Sequence, residues 1–316
     1  MKGLKIIATG SAIPSKLVTN DDLSRIVDTS DEWIFPRTGI RSRYFCAEGE
    51  STNSLALMAA KKALLSSKIN TSDIGCVVCA TVTSDYVTPS CACIIQAELG
   101  LSEDIPVLDI NAACSGFLYG LEVCRGLLNS SDGKYGLVIG AEQLSRILDM
   151  TDRSTCVLFG DGAGAVIVEA SDDAYYDSIL GARGGHQISC KGIGHENAYV
   201  QMEGQEVFKF AVDALPKCIF KLQERNSFTL DDIKHVICHQ ANSRIIDHCV
   251  KKLKADPEKF YKNMDHFGNT SAASIPLALA EMDEKSLIGI GDKLLLVGFG
   301  SGLTWAGTLI TKGNID

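Results

Sequence analysis

No apolar stretch in the 316-residue chain approaches the roughly 18–20 residues that a membrane-spanning helix needs. The apolar run after Met1-Lys2-Gly3 is also far too short for a secretory leader, so a soluble, unsecreted, cytoplasmic protein with no membrane partner is expected. Basic charge is scarce: 30 Lys and Arg against 39 Asp and Glu leave a net charge of −9. That balance argues against nucleic acid as a partner and leaves any acidic partner to a local basic patch. No segment has the composition of disorder, and 46% of residues are apolar, ample for one large domain or two similar halves. Metal-ligand spacing is missing as well. Cys91 and Cys93 have no matching second pair nearby, and others of the twelve cysteines, such as Cys76 and Cys79, lie in apolar strand-like runs. Mostly buried thiols in a reducing cytosol are expected, with no metal site.

What the chain does contain is a repeat. Asp73-Ile74-Gly75-Cys76-Val77-Val78-Cys79 resembles Asp232-Ile233-Lys234-His235-Val236-Ile237-Cys238, 159 residues further on. Leu137-Val138-Ile139-Gly140 resembles Leu295-Leu296-Val297-Gly298, 158 residues further on. Two matches at nearly one offset predict two similar halves, residues 1–172 and 173–316, divided near Ala170–Tyr176. Strands are predicted over 4–9, 75–81, 106–110, 136–140, 164–169, 177–183, 234–238, 293–298 and 305–311. Helices are predicted over 51–66, 88–99, 114–128, 203–225, 242–254 and 271–284. This alternation predicts an α/β fold whose sheets are covered on both faces. The glycine-rich stretches Gly160-Asp161-Gly162-Ala163-Gly164 and Gly298-Phe299-Gly300-Ser301-Gly302 precede strand patterns, not helices. They therefore predict tight turns between strands and not a dinucleotide site.

One cysteine has a distinctive setting. Val107-Leu108-Asp109-Ile110 reads as a strand, and Phe117 to Cys124 as an apolar helix, so Cys114 falls at a strand-to-helix turn among small neighbours. Unpaired backbone N–H groups and the helix dipole would favour a thiolate there. His239 ends a strand in the second half, and Asn269 lies in a turn before a helix. Alone, such a histidine is more often a satisfied structural residue, and such an asparagine more often a cap or turn residue. If the halves pack face to face, all three meet near the pseudo-twofold axis.

These residues carry a resemblance. Asp109-Ile110-Asn111-Ala112-Ala113-Cys114-Ser115-Gly116-Phe117, His239-Gln240-Ala241-Asn242, Gly268-Asn269-Thr270-Ser271-Ala272-Ala273-Ser274 and Gly298-Phe299-Gly300-Ser301-Gly302 resemble four core motifs of the β-ketoacyl-acyl-carrier-protein synthase III family. Thr29 to Ile34, Arg37 to Ile40, Thr151-Asp152-Arg153 and Phe159 to Gly164 resemble further motifs, in order, from about residue 3 to 311. Elongating relatives typically carry two histidines, so His239 followed by Asn269 favours the initiating class. The resemblance implies a five-layered α/β/α/β/α thiolase fold, a homodimer, and no cofactor beyond the coenzyme A thioester substrate. It implies that an acyl-CoA primer, usually acetyl-CoA, acylates Cys114, and that malonyl-acyl carrier protein then loses carbon dioxide and condenses with it. His239 and Asn269 would donate hydrogen bonds to the enolate, and backbone N–H groups of Cys114 and near Ser301 would form the oxyanion hole. The family commonly has glycine at the Ser301 position. Thr29, Trp33, Arg37 and Arg153 match CoA-binding positions.

By the same resemblance, Arg244, Lys251 and Lys252, outside the apolar stripe of the helix after Asn242, would dock the acidic carrier protein with Lys209. Thr88 matches a position lining the partner subunit's acyl pocket, where some members carry a bulky aromatic. A smaller residue implies primers longer than acetyl, unless neighbouring side chains fill the space. A secondary-metabolic acyltransferase would keep the same trio of Cys, His and Asn. A catalytically silent partner subunit would usually lack the cysteine.

Overall fold

Short apolar runs bracketed by turn residues supply ten strands: β1 (Gly3–Ala12), β2 (Ile74–Ala80), β3 (Val107–Ile110), β4 (Tyr135–Glu142), β5 (Gly162–Ser171), β6 (Asp177–Ala182), β7 (His235–Cys238), β8 (Phe260–Tyr261), β9 (Lys293–Gly300) and β10 (Thr304–Lys312). The helices that position the site are α1 (Asp31–Thr38), α2 (Thr52–Ser67), α3 (Cys91–Glu98), α4 (Gly116–Asn129), α5 (Gly204–Asn226), α6 (Ser243–Leu253) and α7 (Ser274–Glu284). The computed structural model describes residues 1–131, 133–192, 194–196 and 198–314.

The strands run β3-β2-β4-β5-β1 in the first half and β8-β7-β9-β10-β6 in the second. Corresponding neighbours pair in the same sense. β2 is parallel to β3 and β4, as β7 is to β8 and β9, and the last two pairings of each set are antiparallel. A short parallel contact of Lys5 with Thr311 and Ile6 with Lys312 joins β1 to β10, so the sheets are hydrogen-bonded into one.

Apolar burial builds the layers. Phe117, Leu118 and Leu121 of α4 and Ile275, Ala278 and Leu279 of α7 pack with Val78, Val138, Ile237 and Leu296 from the strands of both halves. One outer face carries α2 and α3 through Leu55, Ala59, Ala63 and Ile95, and the other carries α5 and α6 through Leu215, Ile219, Ile246 and Cys249. The result is helix, sheet, helix, sheet, helix. In β2 a register shift between Ile74 and Cys76 exchanges the strand's faces, turning Cys76 and Val78 toward the centre and Val77 and Cys79 outward.

Each predicted strand and helix has its counterpart, with ends displaced by roughly one to three residues. The predicted helix 88–99 starts only at Cys91, where Ser90 caps it by accepting from the Cys93 N–H at 3.2 Å. The glycine stretches are not all turns. Gly162 and Gly164 lie in β5, and Gly298 and Gly300 in β9. Their missing side chains matter because helices and turns press on the strands: a Cβ on Gly164 would sit 2.5 Å from the Pro276 carbonyl carbon. Helix α1 has no counterpart among the predicted helices.

A charged cluster ties the segment before Asn269 to α7. His266 Nδ1 lies 2.9 Å from Asp265 and its Nε2 lies 3.2 Å from Glu281, which also meets Lys285 and Asn263. Hydrogen bonding to Asp265, then to Glu281, raises the His266 pKa from 6.5 to about 9. Burial pushes Glu281 up, but hydrogen bonds from His266, Lys285 and Asn263 outweigh it and bring the carboxyl from 4.5 to about 2. Because the imidazole pKa is raised on folding, its stabilisation is complete below pH 6.5 and fades as pH rises through about 9. The Glu281 contribution is complete above pH 4.5 and fades as pH falls toward 2. His266→Gln should therefore flatten the decline in urea midpoint between pH 6.5 and 9; equal declines in both proteins would remove His266 from this role.

Candidate active site

Three residues predicted from separate stretches meet at one cavity of about 840 Å3, lined by Cys114, His239 and Asn269 together with Ser271, Phe299 and Ser301. Cys114 occupies a single 3-10 turn, Ala113–Ser115, immediately before α4. Ala113 adopts φ +46°, a left-handed conformation that bulky L-residues avoid. The turn is held from the other half. Ser115 Oγ and Thr304 Oγ1 are 2.6 Å apart, and Thr304 Oγ1 also donates toward the Ala112 carbonyl at 3.2 Å. A Cβ on Gly300 would lie 2.7 Å from Cys114 N, so the end of β9 touches the backbone of this turn directly.

The thiol itself differs from expectation. Burial pushes Cys114 up to about 12; a hydrogen bond with Ser271 lowers it, and the nearby Glu142 charge raises it further. The resting side chain is thus a neutral thiol, and the helix terminus acts only as charge develops. His239 follows β7, its N–H donating to the Val297 carbonyl at 2.8 Å. Burial lowers its pKa to about 3, so it is neutral. Its Nδ1 is 2.7 Å from Ser274 Oγ, and that oxygen accepts from the Gln240 N–H at 3.4 Å. With the Ser274 hydroxyl donating to Nδ1, the tautomer suited to this site, Nε2 carries the imidazole hydrogen. Asn269 is clamped by backbone bonds to Leu158 and Gly160, and its Oδ1 accepts from the Ser271 N–H at 2.9 Å. The amide therefore has its Nδ2 end available to donate.

Ser301 lies at the cavity wall, with its Oγ donating to the Ile188 carbonyl at 2.6 Å. Positive φ in this turn belongs to Gly302, at +135°, and not to Ser301, so serine fits there without strain. Trp33 is half-buried on α1, with Arg37 and Arg153 guanidinium carbons 4.8 and 5.0 Å from its ring centre. Thr29 Oγ1, just before α1, is shut off from water without a hydrogen-bond partner. These four lie outside the cavity lining, but Asn242 Nδ2 donates to the Arg37 carbonyl at 2.9 Å and links α1 to the cavity rim.

Of the four basic residues on α5 and α6, Lys209 pairs with Glu206 at 2.8 Å and Lys252 with Asp213 at 3.3 Å. Arg244 stands over the Phe208 ring at 5.7 Å, beside the rim, and Lys251 is exposed. Thr88 is exposed and outside its own chain's cavity, next to the exposed Tyr86 and Val87. Among the described residues, no group of three or more His, Cys, Asp or Glu is placed to hold a metal. Among the described residues, no helix is long and apolar enough to cross a membrane.

Two neighbours of the trio are not marked by the sequence pattern. Ser274 was visible only as the end of a motif, and Glu142 not at all. Glu142 is fully buried at the end of β4, where burial raises its carboxyl to about 7 against the hydrogen bonds of Thr83, the Val82 N–H, Ser271 and Thr81.

Comparison with known proteins agrees with this geometry. Residues 108–184 match the family model described as 3-oxoacyl-[acyl-carrier-protein (ACP)] synthase III, and residues 223–312 match that of its C-terminal part. The β-ketoacyl-[acyl-carrier-protein] synthase III of Clostridium botulinum (strain Okra / Type B1) is 44% identical over 98% of this chain and 99% of that protein. The crystal structure of 3-oxoacyl-[acyl-carrier-protein] synthase III from Aquifex aeolicus VF5 has a TM-score of 0.92 at 41% identity, covering 98% of this chain and 100% of that one. The priming β-ketosynthase of the R1128 polyketide biosynthetic pathway has a TM-score of 0.93 at 30% identity, covering 99% and 97%. Fold and site together define a condensing enzyme of the thiolase fold, an acyltransferase. More narrowly, the chain belongs to the β-ketoacyl-[acyl-carrier-protein] synthase III family, which carries out the initiating condensation of fatty-acid synthesis.

The contact at Gly300 yields a test. Gly300→Ala should destabilise the fold by about 1–3 kcal/mol through overpacking. An unchanged melting temperature would show that the turn yields freely.

Proposed function

We propose that this chain starts acyl chains by decarboxylative Claisen condensation. An acyl-CoA primer, acetyl-CoA in the simplest case, acylates Cys114. Malonyl-acyl carrier protein then condenses with the acyl-enzyme, giving a β-ketoacyl carrier protein and carbon dioxide. The observation that carries this reading is the convergence of Cys114, His239 and Asn269 on one cavity.

In the first half-reaction Cys114 Sγ attacks the thioester carbonyl and the CoA sulfur departs. Backbone N–H groups of Cys114 and of the Ser301 turn are the proposed oxyanion donors, brought close by the Gly300 contact. In the second, loss of carbon dioxide from the malonyl group leaves an enolate on the thioester oxygen. A neutral His239 with hydrogen on Nε2 and the Asn269 Nδ2 are both suited to donate to that oxygen. The Phe299 ring, 5.3 Å from the His239 ring, makes the wall apolar, which disfavours a malonyl carboxylate relative to neutral carbon dioxide. No metal or organic cofactor enters these steps.

Trp33 with Arg37 and Arg153 would hold the CoA adenine and phosphates, with Thr29 beside them. Arg244 leads the proposed carrier-protein face with Lys251, because Lys209 and Lys252 are already paired with carboxylates. In a homodimer, Thr88 would reach the partner's acyl pocket. Residues 1–172 and 173–316 are read as the two halves, the first supplying the nucleophile and the second the enolate donors. The likeness to a polyketide priming synthase keeps open a nonstandard starter, and a primer panel separates the two readings.

Incubation with acetyl-, butyryl- and octanoyl-CoA, followed by intact-mass measurement and peptide mapping, should place the acyl group on Cys114 and find none on Cys114→Ser. Mapping to another cysteine would reject the reading. His239→Ala and Asn269→Ala should each keep acylation but lose on the order of 10²–10³ in carbon dioxide release from malonyl carrier protein. Unchanged release from either variant rejects that residue's role. Arg244→Glu should raise the apparent KM for malonyl carrier protein and leave acylation by acyl-CoA intact; equal effects on both substrates would mean the helix is no selective docking face.

A further inference from the structure

Behind Asn269 lies a buried charge that the mechanism does not use. Arg43 belongs to a short strand, Ser42–Phe45, and faces Val18 of the paired strand Lys16–Thr19. It is completely shut off from water. Its Nη2 donates to the Val157 carbonyl at 2.6 Å and its Nη1 to Asn20 Oδ1 at 2.7 Å, with the Val18 carbonyl 3.5 Å away. Among the described residues no carboxylate bonds to it, and its Nε has no partner. Burial lowers its pKa to about 10, so the guanidinium keeps its charge at neutral pH. A buried charge bonded only to neutral groups is costly. What it supplies in return is a planar fork that fixes two partners at once, which no apolar side chain can do.

Both ends of that side chain bear on Asn269. Val157, held by Nη2, leads into the segment that clamps the asparagine. The Leu158 carbonyl accepts from the Asn269 N–H at 2.8 Å, and the Gly160 N–H donates to the Asn269 carbonyl at 3.0 Å. Phe159 pairs with Asn269 between these two bonds as an isolated parallel bridge. The Arg43 stem packs against the same backbone. A Cβ on Gly160 would lie 3.0 Å from Arg43 Cβ, and one on Gly268 would lie 3.1 Å from it. Gly268, at φ +67°, is the residue that delivers the chain to Asn269. The other arm of the fork is itself anchored. Asn20 Nδ2 donates to the Ile40 carbonyl at 2.8 Å and to Asp31 Oδ1 at 2.8 Å, where α1 begins.

We propose that Arg43 is a positioning residue for Asn269. The guanidinium fixes the 157–160 segment and the stem fixes the Gly268 backbone, so that the Asn269 amide is aimed at the enolate oxygen formed when malonyl carrier protein loses carbon dioxide. Arg43 is not among the cavity-lining residues and acts only through the asparagine. This rests on the reading of Asn269 as an enolate donor.

The alternative is that Arg43 merely braces the core. Two rates separate these roles: acylation of Cys114 by saturating acetyl-CoA, and single-turnover carbon dioxide release from malonyl carrier protein by the acetylated enzyme. Arg43→Met, which keeps the stem and removes the fork, should acylate at the wild-type rate. It should lose on the order of 10²-fold in carbon dioxide release, the cost of a displaced reacting group. The double variant Arg43→Met, Asn269→Ala should release carbon dioxide no more slowly than Asn269→Ala alone, because nothing is left to position. Wild-type release in Arg43→Met, acylation reduced as much as release, or a double variant slowed by the product of the two single losses would each overturn the assignment. Should Arg43→Met fail to fold, Arg43→Lys, which keeps the charge on a single bonding centre, decides by the same cycle, with a loss on the order of tenfold expected. Unchanged release in Asn269→Ala overturns the donor reading and this assignment together. A loss there with wild-type release in the Arg43 variant overturns only the role of Arg43.

Discussion

The structure depends on one close contact made twice. Where each half's central strands end, the backbone of one half is pressed against the turn that opens the other half's central helix. Gly300 meets the backbone of the Cys114 turn, and a Cβ on Gly140 would lie 2.2 Å from the Ala272 carbonyl oxygen. No side chain fits in either place. The left-handed residues Ala113 and Ser271, each at the head of its turn, are held in a conformation that costs of order 1–3 kcal/mol and persists only where surroundings enforce it. The strands, the two central helices and the apolar packing around them enforce it here.

The thiol and the imidazole at the centre of the cavity carry no charge. Burial pushes the thiol toward its protonated form and the imidazole toward its neutral form. A site of this kind works with oriented dipoles: backbone N–H groups, an amide, a tautomer selected by Ser274. Such dipoles need no reorganisation when charge appears, and their effect is larger where water is excluded. Glu142 is the exception, a carboxylate balanced between its two states by burial on one side and hydrogen bonds on the other.

Much of this is legible in the chain. Strand, small residues, cysteine and helix follow one another within a single local stretch, so the Cys114 turn can be read directly, as can the repeat that sets the two strand orders. His239 and Asn269 can be read only as residues at the ends of elements; their meeting depends on packing between halves. Helix α1 escapes a periodicity search because it has eight residues with Pro36 among them. Its caps were the available signal: Ser30 accepts from the Trp33 N–H, and Gly39 closes the helix at φ +80°. The glycine strings read as turns because close approach between distant segments leaves no local trace. Burial is equally invisible, which is why a thiolate is expected at Cys114 and a neutral thiol is found, and why Glu142 passes unnoticed.

The join between the first and last strands has a consequence for synthesis. β1 is the edge of the first half's sheet, and its open side is covered by β10 through Lys5 and Ile6. A nascent chain can complete the five strands of the first half once Ser171 has emerged, but the covering strand begins only at Thr304. At roughly 5–20 residues per second the ribosome leaves that edge uncovered for on the order of ten seconds. An open strand edge is a template for other chains. During that interval the half-made protein is exposed to mispairing, and chaperone protection would matter most there.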